Sequence, residues 1–203
     1  MSPSPARPSK LLHSGAVLPA GFELREAYVE ASQASDLMED LLATADLETH
    51  RIHVFGRSCP MPRRIAWFGQ ESYSYSGVHH PARPLPENLK RIAEQLRLDL
   101  DQPFNCVLLN HYLDGRDSMG WHSDDDYAAG DYPKIASISL GGTRRFRLRP
   151  KGDPARSIGM DLTHGSLLTM GAGTQLTHQH AVPRTRRKVD QRLNLTFRWM
   201  EPK

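Results

Sequence analysis

A chain of 203 residues with 38% hydrophobic and 24% charged side chains reads as one soluble globular domain, long enough to bury about 70% of the surface its unfolded form exposes. Its 26 Lys and Arg against 23 Asp and Glu give a formal charge of only +3. Two cysteines without CxxC spacing exclude a disulfide framework and a thiolate zinc site and suit a reducing compartment, cytoplasm or nucleus; no apolar run approaches the roughly 20 residues of a membrane-spanning helix.

Residues 1–14, broken by Pro3, Pro5 and Pro8, read as a flexible tail without a secretory signal. From Ser35, Leu37, Met38, Leu41 and Leu42 recur at helical spacing; from Pro86, which suits a first turn, Leu89, Ile92, Ala93 and Leu96 do the same. The period then changes to two. Phe104 to Tyr112, Ile135 to Leu140, Thr143 to Arg149, Ser166 to Met170, Gln175 to Val182 and Arg192 to Met200 read as strands, with Gly141-Gly142 as a hairpin turn. Early helices and late strands predict an α+β chain whose second half is a mainly antiparallel sandwich or barrel.

Charge is segregated along the chain. Acids crowd positions 23 to 48, whereas Arg144, Arg145, Arg147, Arg149 and Lys151 form one basic cluster and Arg184, Arg186, Arg187 and Lys188 another. Two readings fit: a polyanionic partner, nucleic acid first, or solvated strand and loop faces. The last strand alternates Leu193, Leu195, Phe197 and Trp199 with Arg192, Asn194, Thr196 and Arg198. That polar face is either the solvent side of an edge strand or a wall whose two arginines, about 20 Å apart along the backbone, lean inward onto a small dicarboxylate.

Two histidines and a carboxylate on one face of a rigid scaffold hold Fe(II) and leave positions open. His122-Ser123-Asp124 supplies a His and an Asp at strand spacing, and a second His must come from elsewhere. An isolated HxD is weak, since a chain with 10 His also places surface His near acids by chance.

The surrounding runs are more specific. Asn110-His111-Tyr112, Trp121-His122-Ser123-Asp124-Asp125-Asp126, Ile135 to Gly141, His164-Gly165, Gln179-His180-Ala181-Val182-Pro183 and Arg192 to Arg198 resemble, in order and spacing, the AlkB family of Fe(II)/2-oxoglutarate-dependent dioxygenases of alkylated-DNA repair. Pro62-Arg63-Arg64, Trp67-Phe68-Gly69 and Tyr73 to Gly77 look like the nucleotide-recognition region of that family, in the branch similar to the human homologues two and three. The resemblance covers about residues 54 to 200.

It implies a single domain over 15–203, with a nucleotide-recognition lid at about 54–101 and a double-stranded β-helix, or jelly roll, at about 102–200. His122, Asp124 and His180 would be the iron ligands, with His178 as the rival two residues earlier. Arg192 would pair with the distal carboxylate of 2-oxoglutarate and Arg198 would lie near its keto-acid end and the iron. Asn194, Thr196, Asn110 and Tyr112 would add contacts to the cosubstrate. Tyr75 and the His122 ring would stack on an extruded base, with Tyr73 beside them and Asp125 or Asp126 at its polar edge. Val54-Phe55-Gly56-Arg57 resembles a hairpin used as an intercalating wedge, which gives Phe55, Gly56 and Arg57 a place at the nucleic acid. His79, His80, His111 and His164 are assigned structural or surface roles.

The activity implied is oxidative dealkylation of bases such as 1-methyladenine and 3-methylcytosine in single- or double-stranded DNA, with RNA a further substrate, by a monomer using Fe(II), 2-oxoglutarate and O2. Two alternatives remain at this point: a related dioxygenase acting on another modified RNA, protein or lipid, and a nucleic-acid-binding jelly roll without catalysis.

Overall fold

The computed structural model describes residues 17–54, 57–75, 78–124 and 134–201, with only the backbone at 52–54, 73, 75 and 78. Its first part runs β1 (Phe22–Arg25), α1 (Ala31–Thr44), β2 (Arg51–Val54), β3 (Arg57–Pro60), β4 (Arg64–Gly69), β5 (Tyr73–Tyr75) and β6 (Val78–His80). The second helix, α2 (Glu87–Leu100), precedes β7 (Cys106–Tyr112), β8 (Met119–His122), β9 (Ile135–Gly141), β10 (Arg144–Pro150), β11 (Ile158–Leu162) and β12 (Ser166–Met170). A single turn, α3 (Thr174–Thr177), leads into β13 (His178–Val182), and β14 (Arg192–Arg198) follows.

Helix α1 starts four residues before its apolar pattern because the Glu30 carboxylate caps it, accepting from Ser32 N at 3.0 Å and Gln33 N at 3.3 Å. Pro86 stands just outside α2, at the cap position, and the helix stops at Asp101 with a left-handed φ of 50°. The early chain is less helical than expected, since six short strands precede residue 81.

Two antiparallel sheets form the core, one ordered β1-β12-β9-β14-β7-β4 and the other β11-β10-β13-β8. Alternation on the larger sheet sends Val107, Leu109, Ala136, Ile138, Leu140, Leu193, Leu195 and Phe197 outward, against Met38 and Leu41 of α1 and Leu89 and Leu96 of α2. Phe22, Leu24, Leu168 and Met170 of that sheet meet Phe146, Leu148, Met160, Leu162 and Val182 of the smaller one. Sheets stacked face to face, with helices covering one of them, make the expected α+β jelly roll. Two ribbons, β2-β3 and β5-β6, stand apart from the sheets in the pairing pattern.

Three local expectations change. Gly141-Gly142 is a corner between the sheets rather than a hairpin turn, because β9 pairs with β12 and β14 while β10 pairs with β11 and β13. Glycine is needed there: Gly141 has φ +84°, and a Cβ on Gly142 would lie 2.3 Å from Asp190 O. The strand expected from Gln175 begins at His178, since tight turns over 171–176, Thr174 N to Gly171 O and Leu176 N to Gly173 O, close into α3 first. Trp67 and Phe68 are core rather than recognition surface: β4 is an edge of the larger sheet, and Trp67, 1% exposed, packs with Met61, Ile65, Cys106 and Leu108.

Candidate iron and cosubstrate site

Strand pairing builds the His/Asp/His cluster. His180, midway along β13, sits directly across from His122 at the end of β8, and the two rings lie 4.1 Å apart. Asp124 follows two residues beyond the strand, its Oδ1 3.7 Å from His122 Nε2 and its Oδ2 3.6 Å from His180 Nε2. One ligand atom from each residue lies within 4.8 Å of the others, the one such three-residue cluster among the described residues. His178 stays out of it: its Nδ1 meets Thr177 Oγ1 at 2.8 Å and its ring packs edge-on against Phe22.

The protonation states favour a cation. Nδ1–H of His122 donates to Gly120 O at 2.9 Å, which leaves Nε2 as the ring nitrogen facing Asp124. Burial pushes His180 down to about 3, with His122 adding to the effect and Asp124 opposing it, so that imidazole is neutral at physiological pH. Burial by itself would raise the Asp124 carboxyl. The neighbouring Arg198, His180 and His122 outweigh it and hold that carboxyl well below the usual carboxylate range. Arg198, 3% exposed, donates from Nη2 to Asp124 Oδ1 at 2.7 Å.

The polar face of β14 turns inward and forms one wall of a cavity that ends at the cluster. The edge-strand reading fails because β14 is flanked by β7 and β9, and all seven of its residues are buried. Arg192, 1% exposed, donates from Nη2 to Ser139 Oγ at 2.9 Å and lies 5.3 Å over the Tyr112 ring. Its Nε and Nη1 have no hydrogen-bond partner among the described residues. Burial lowers its pKa to about 10, against the pull of Tyr112, so it remains a cation. A buried guanidinium with two unused donors fits a carboxylate, and two imidazoles with a carboxylate fit Fe(II).

Asn194 is committed to the wall itself, donating to Ser137 Oγ at 2.8 Å and Ile138 O at 3.0 Å and accepting from Thr196 Oγ1 at 3.1 Å. Asn110 accepts from Arg63 Nε at 2.7 Å. Leu108, Met119, Phe146, Met170 and Val182 supply apolar lining, and the Phe146 ring stacks at 5.3 Å on His180.

Two further residues contribute, one read from sequence only within the Pro62-Arg63-Arg64 recognition motif and one not singled out at all. Arg63 reaches the cavity from just before β4, and buried Gln175 of α3 accepts from Asp124 N at 3.0 Å. Ser123 Oγ adds a bond to His178 O at 2.8 Å, so the turn and strand after Gly173 clamp the HxD segment where no ladder supports it.

Of the residues assigned to nucleic acid, Arg57 is exposed on β3 and the backbones of Tyr73 and Tyr75 pair with His80 and Val78. Phe55, Gly56, Asp125 and Asp126, like the tail, lie outside the described residues. Arg144 leaves the expected basic face: it is 2% exposed and donates to Asp114 O, Asp117 O and Pro183 O at 2.7–2.9 Å. His164 accepts from Gly141 N at 2.8 Å and lies 3.0 Å from Ala31 O, a structural tie between α1 and β9.

The family model described as the 2OG-Fe(II) oxygenase superfamily matches residues 10–198. The alpha-ketoglutarate-dependent dioxygenase alkB homolog 3 of Rattus norvegicus is 39% identical over 153 residues, covering 70% of this chain and 52% of the relative. DNA oxidative demethylase ALKBH2 of Homo sapiens is 32% identical over 179 residues, covering 82% and 69%. The chain thus spans about half the length of the homolog 3 relatives. A solved structure, OsALKBH1, superposes with a TM-score of 0.66 over 91% of this chain and 100% of that one at 18% identity, a likeness of fold. With the cluster, the buried arginine and the jelly roll in agreement with these matches, the chain belongs to the AlkB family within the 2OG-Fe(II) oxygenase superfamily.

Proposed function

We propose that the protein removes N-alkyl groups from nucleobases of DNA by Fe(II)- and 2-oxoglutarate-dependent oxidation. The observation that carries this reading is a single cavity with His122, Asp124 and His180 at one end and the buried cation of Arg192 on its β14 wall. The iron would be held by the cluster, and the distal carboxylate of 2-oxoglutarate by Arg192. When bound, these groups together with O2 supply the oxidation that hydroxylates an N-alkyl carbon, lost as an aldehyde alongside succinate and CO2.

The chain's own part is positioning. Arg198 fixes the Asp124 carboxylate so that its two oxygens face different imidazoles, and Gly120 O fixes the His122 tautomer. Phe146 and Met170 keep the cavity partly apolar, which strengthens every charge interaction inside it. A base must leave its stack to reach the cluster, and Tyr73, Tyr75, the His122 ring, Asp125 and Asp126 are the proposed receivers, with Phe55-Gly56-Arg57 against the duplex. The human relative named as a DNA oxidative demethylase supports DNA as the partner; RNA is proposed as a second nucleic acid. The proposed working form is a monomer.

The test is formaldehyde release from a 1-methyladenine oligonucleotide, single-stranded and duplex, omitting Fe(II) and 2-oxoglutarate in turn. Release that needs both supports the reading. Succinate without formaldehyde points to another prime substrate, and neither product from metal-loaded, folded protein contradicts catalysis.

A further inference from the structure

Arg63 lies where the ribbon β2-β3 passes into β4. The segment is fastened on both sides: Met61 N donates to His50 O at 2.8 Å, and Ser118 N, just ahead of β8, donates to Pro62 O at 3.0 Å. That anchoring holds the Arg63 side chain, 5% exposed, in the wall of the cavity. Burying a guanidinium is costly unless its donors are used, and Nε–H is used on Asn110 Oδ1 at 2.7 Å.

Asn110 sits mid-wall on β7, opposite Asn194 of β14 on one side and Ile65 of β4 on the other. Among the described residues its side chain makes no other hydrogen bond. The amide oxygen is therefore committed to Arg63, and the Nδ2 donors remain for the cavity. A flipped amide would set Nδ2 against the Arg63 N–H, donor facing donor. The polarity matters because 2-oxoglutarate presents only acceptors at neutral pH, two carboxylates and a keto oxygen.

We infer that Arg63 is a positioning residue for the cosubstrate: by holding Oδ1 of Asn110, it directs that amide's N–H groups at 2-oxoglutarate and ties the segment entering β4 to cosubstrate affinity. The inference rests on the assignment of 2-oxoglutarate to this cavity. It separates Arg63 from a residue that only reads nucleic acid, because its effect should appear with no nucleic acid present.

The experiment is a calorimetric titration of 2-oxoglutarate into the full chain loaded with Mn(II) in place of iron. Arg63→Met should weaken cosubstrate binding about 5- to 20-fold, the scale of one misdirected hydrogen bond, with Mn(II) affinity unchanged. Combined with Asn110→Ala it should weaken binding no further than Asn110→Ala alone, since the two act through one contact. Asn110→Asp, which keeps the size and the pairing with Arg63 but presents an oxygen to the cavity, should weaken binding more than Asn110→Ala; this variant decides the matter if Arg63→Met does not fold. Unchanged affinity in Arg63→Met, additive losses in the double variant, or Asn110→Asp binding as well as wild type overturns the inference. A raised KM for methylated oligonucleotide with unaltered 2-oxoglutarate binding also overturns it and assigns Arg63 to the nucleic acid. Failure of wild type itself to bind 2-oxoglutarate would instead overturn the cosubstrate assignment, which the Arg63 variants do not test.

Discussion

β10 and β14 are both seven-residue strands that alternate apolar side chains with polar ones including arginine, yet they use the alternation in opposite senses. In β10, Phe146 and Leu148 turn to the core, while Arg145, Arg147 and Arg149 face out, near Asp161, Ser157 and Gln179, with Arg149 4.1 Å over the Trp121 ring. In β14 the apolar side chains turn to the helices and the arginines turn to the cavity, each 3% exposed or less. The period tells which residues share a face. The neighbours of the strand decide what that face meets: β14 is central with helices behind it, whereas β10 belongs to the smaller sheet, whose outer side is open to arginines.

Several variants break or sharpen this contrast, the largest effect first. His180→Ala should abolish iron-dependent turnover, while His178→Ala stays near wild type; retained activity in the first, measured as formaldehyde release, returns the ligand role to His178. Arg192→Lys keeps the charge but loses the planar fork, and should weaken 2-oxoglutarate binding about 10- to 100-fold with oligonucleotide affinity little changed. An unaltered cosubstrate titration would remove Arg192 from the carboxylate.

Gln175→Ala leaves the Asp124 N–H without its acceptor and should lower Mn(II) affinity about tenfold, read by calorimetry; equal affinity would make Gln175 a packing residue. Arg147→Ala, on the outward face of β10, should leave 2-oxoglutarate binding alone and change stability by no more than about 0.5 kcal/mol in denaturant titration. A cosubstrate effect there would dissolve the distinction between the strands.

The residue types at the site were legible before the structure, and their setting was not. His122-x-Asp124 and the alternation from Arg192 to Arg198 can be read directly, because strand periodicity is local. Sidedness is not local: the polar face of β14 is inside only because β7 and β9 flank it. Arg63 was visible in the Pro62-Arg63-Arg64 run that resembles the nucleotide-recognition region, but a buried arginine and a solvated one look alike in sequence; its burial follows from anchors at His50 and Ser118. Gln175 carried no signal, since a four-residue turn is too short to show a period. The Gly-Gly pair announced a tight bend correctly and its partner wrongly, because the contact that requires glycine is with residues 190 and 191, far along the chain.

The most direct test of the central claim is the ratio of succinate to formaldehyde formed from a 1-methyladenine oligonucleotide by the iron-loaded protein. Coupling through one cavity predicts succinate and formaldehyde in about equal amounts, both lost when 2-oxoglutarate is withheld. Formaldehyde that persists without 2-oxoglutarate would contradict the assignment of the β14 wall to the cosubstrate.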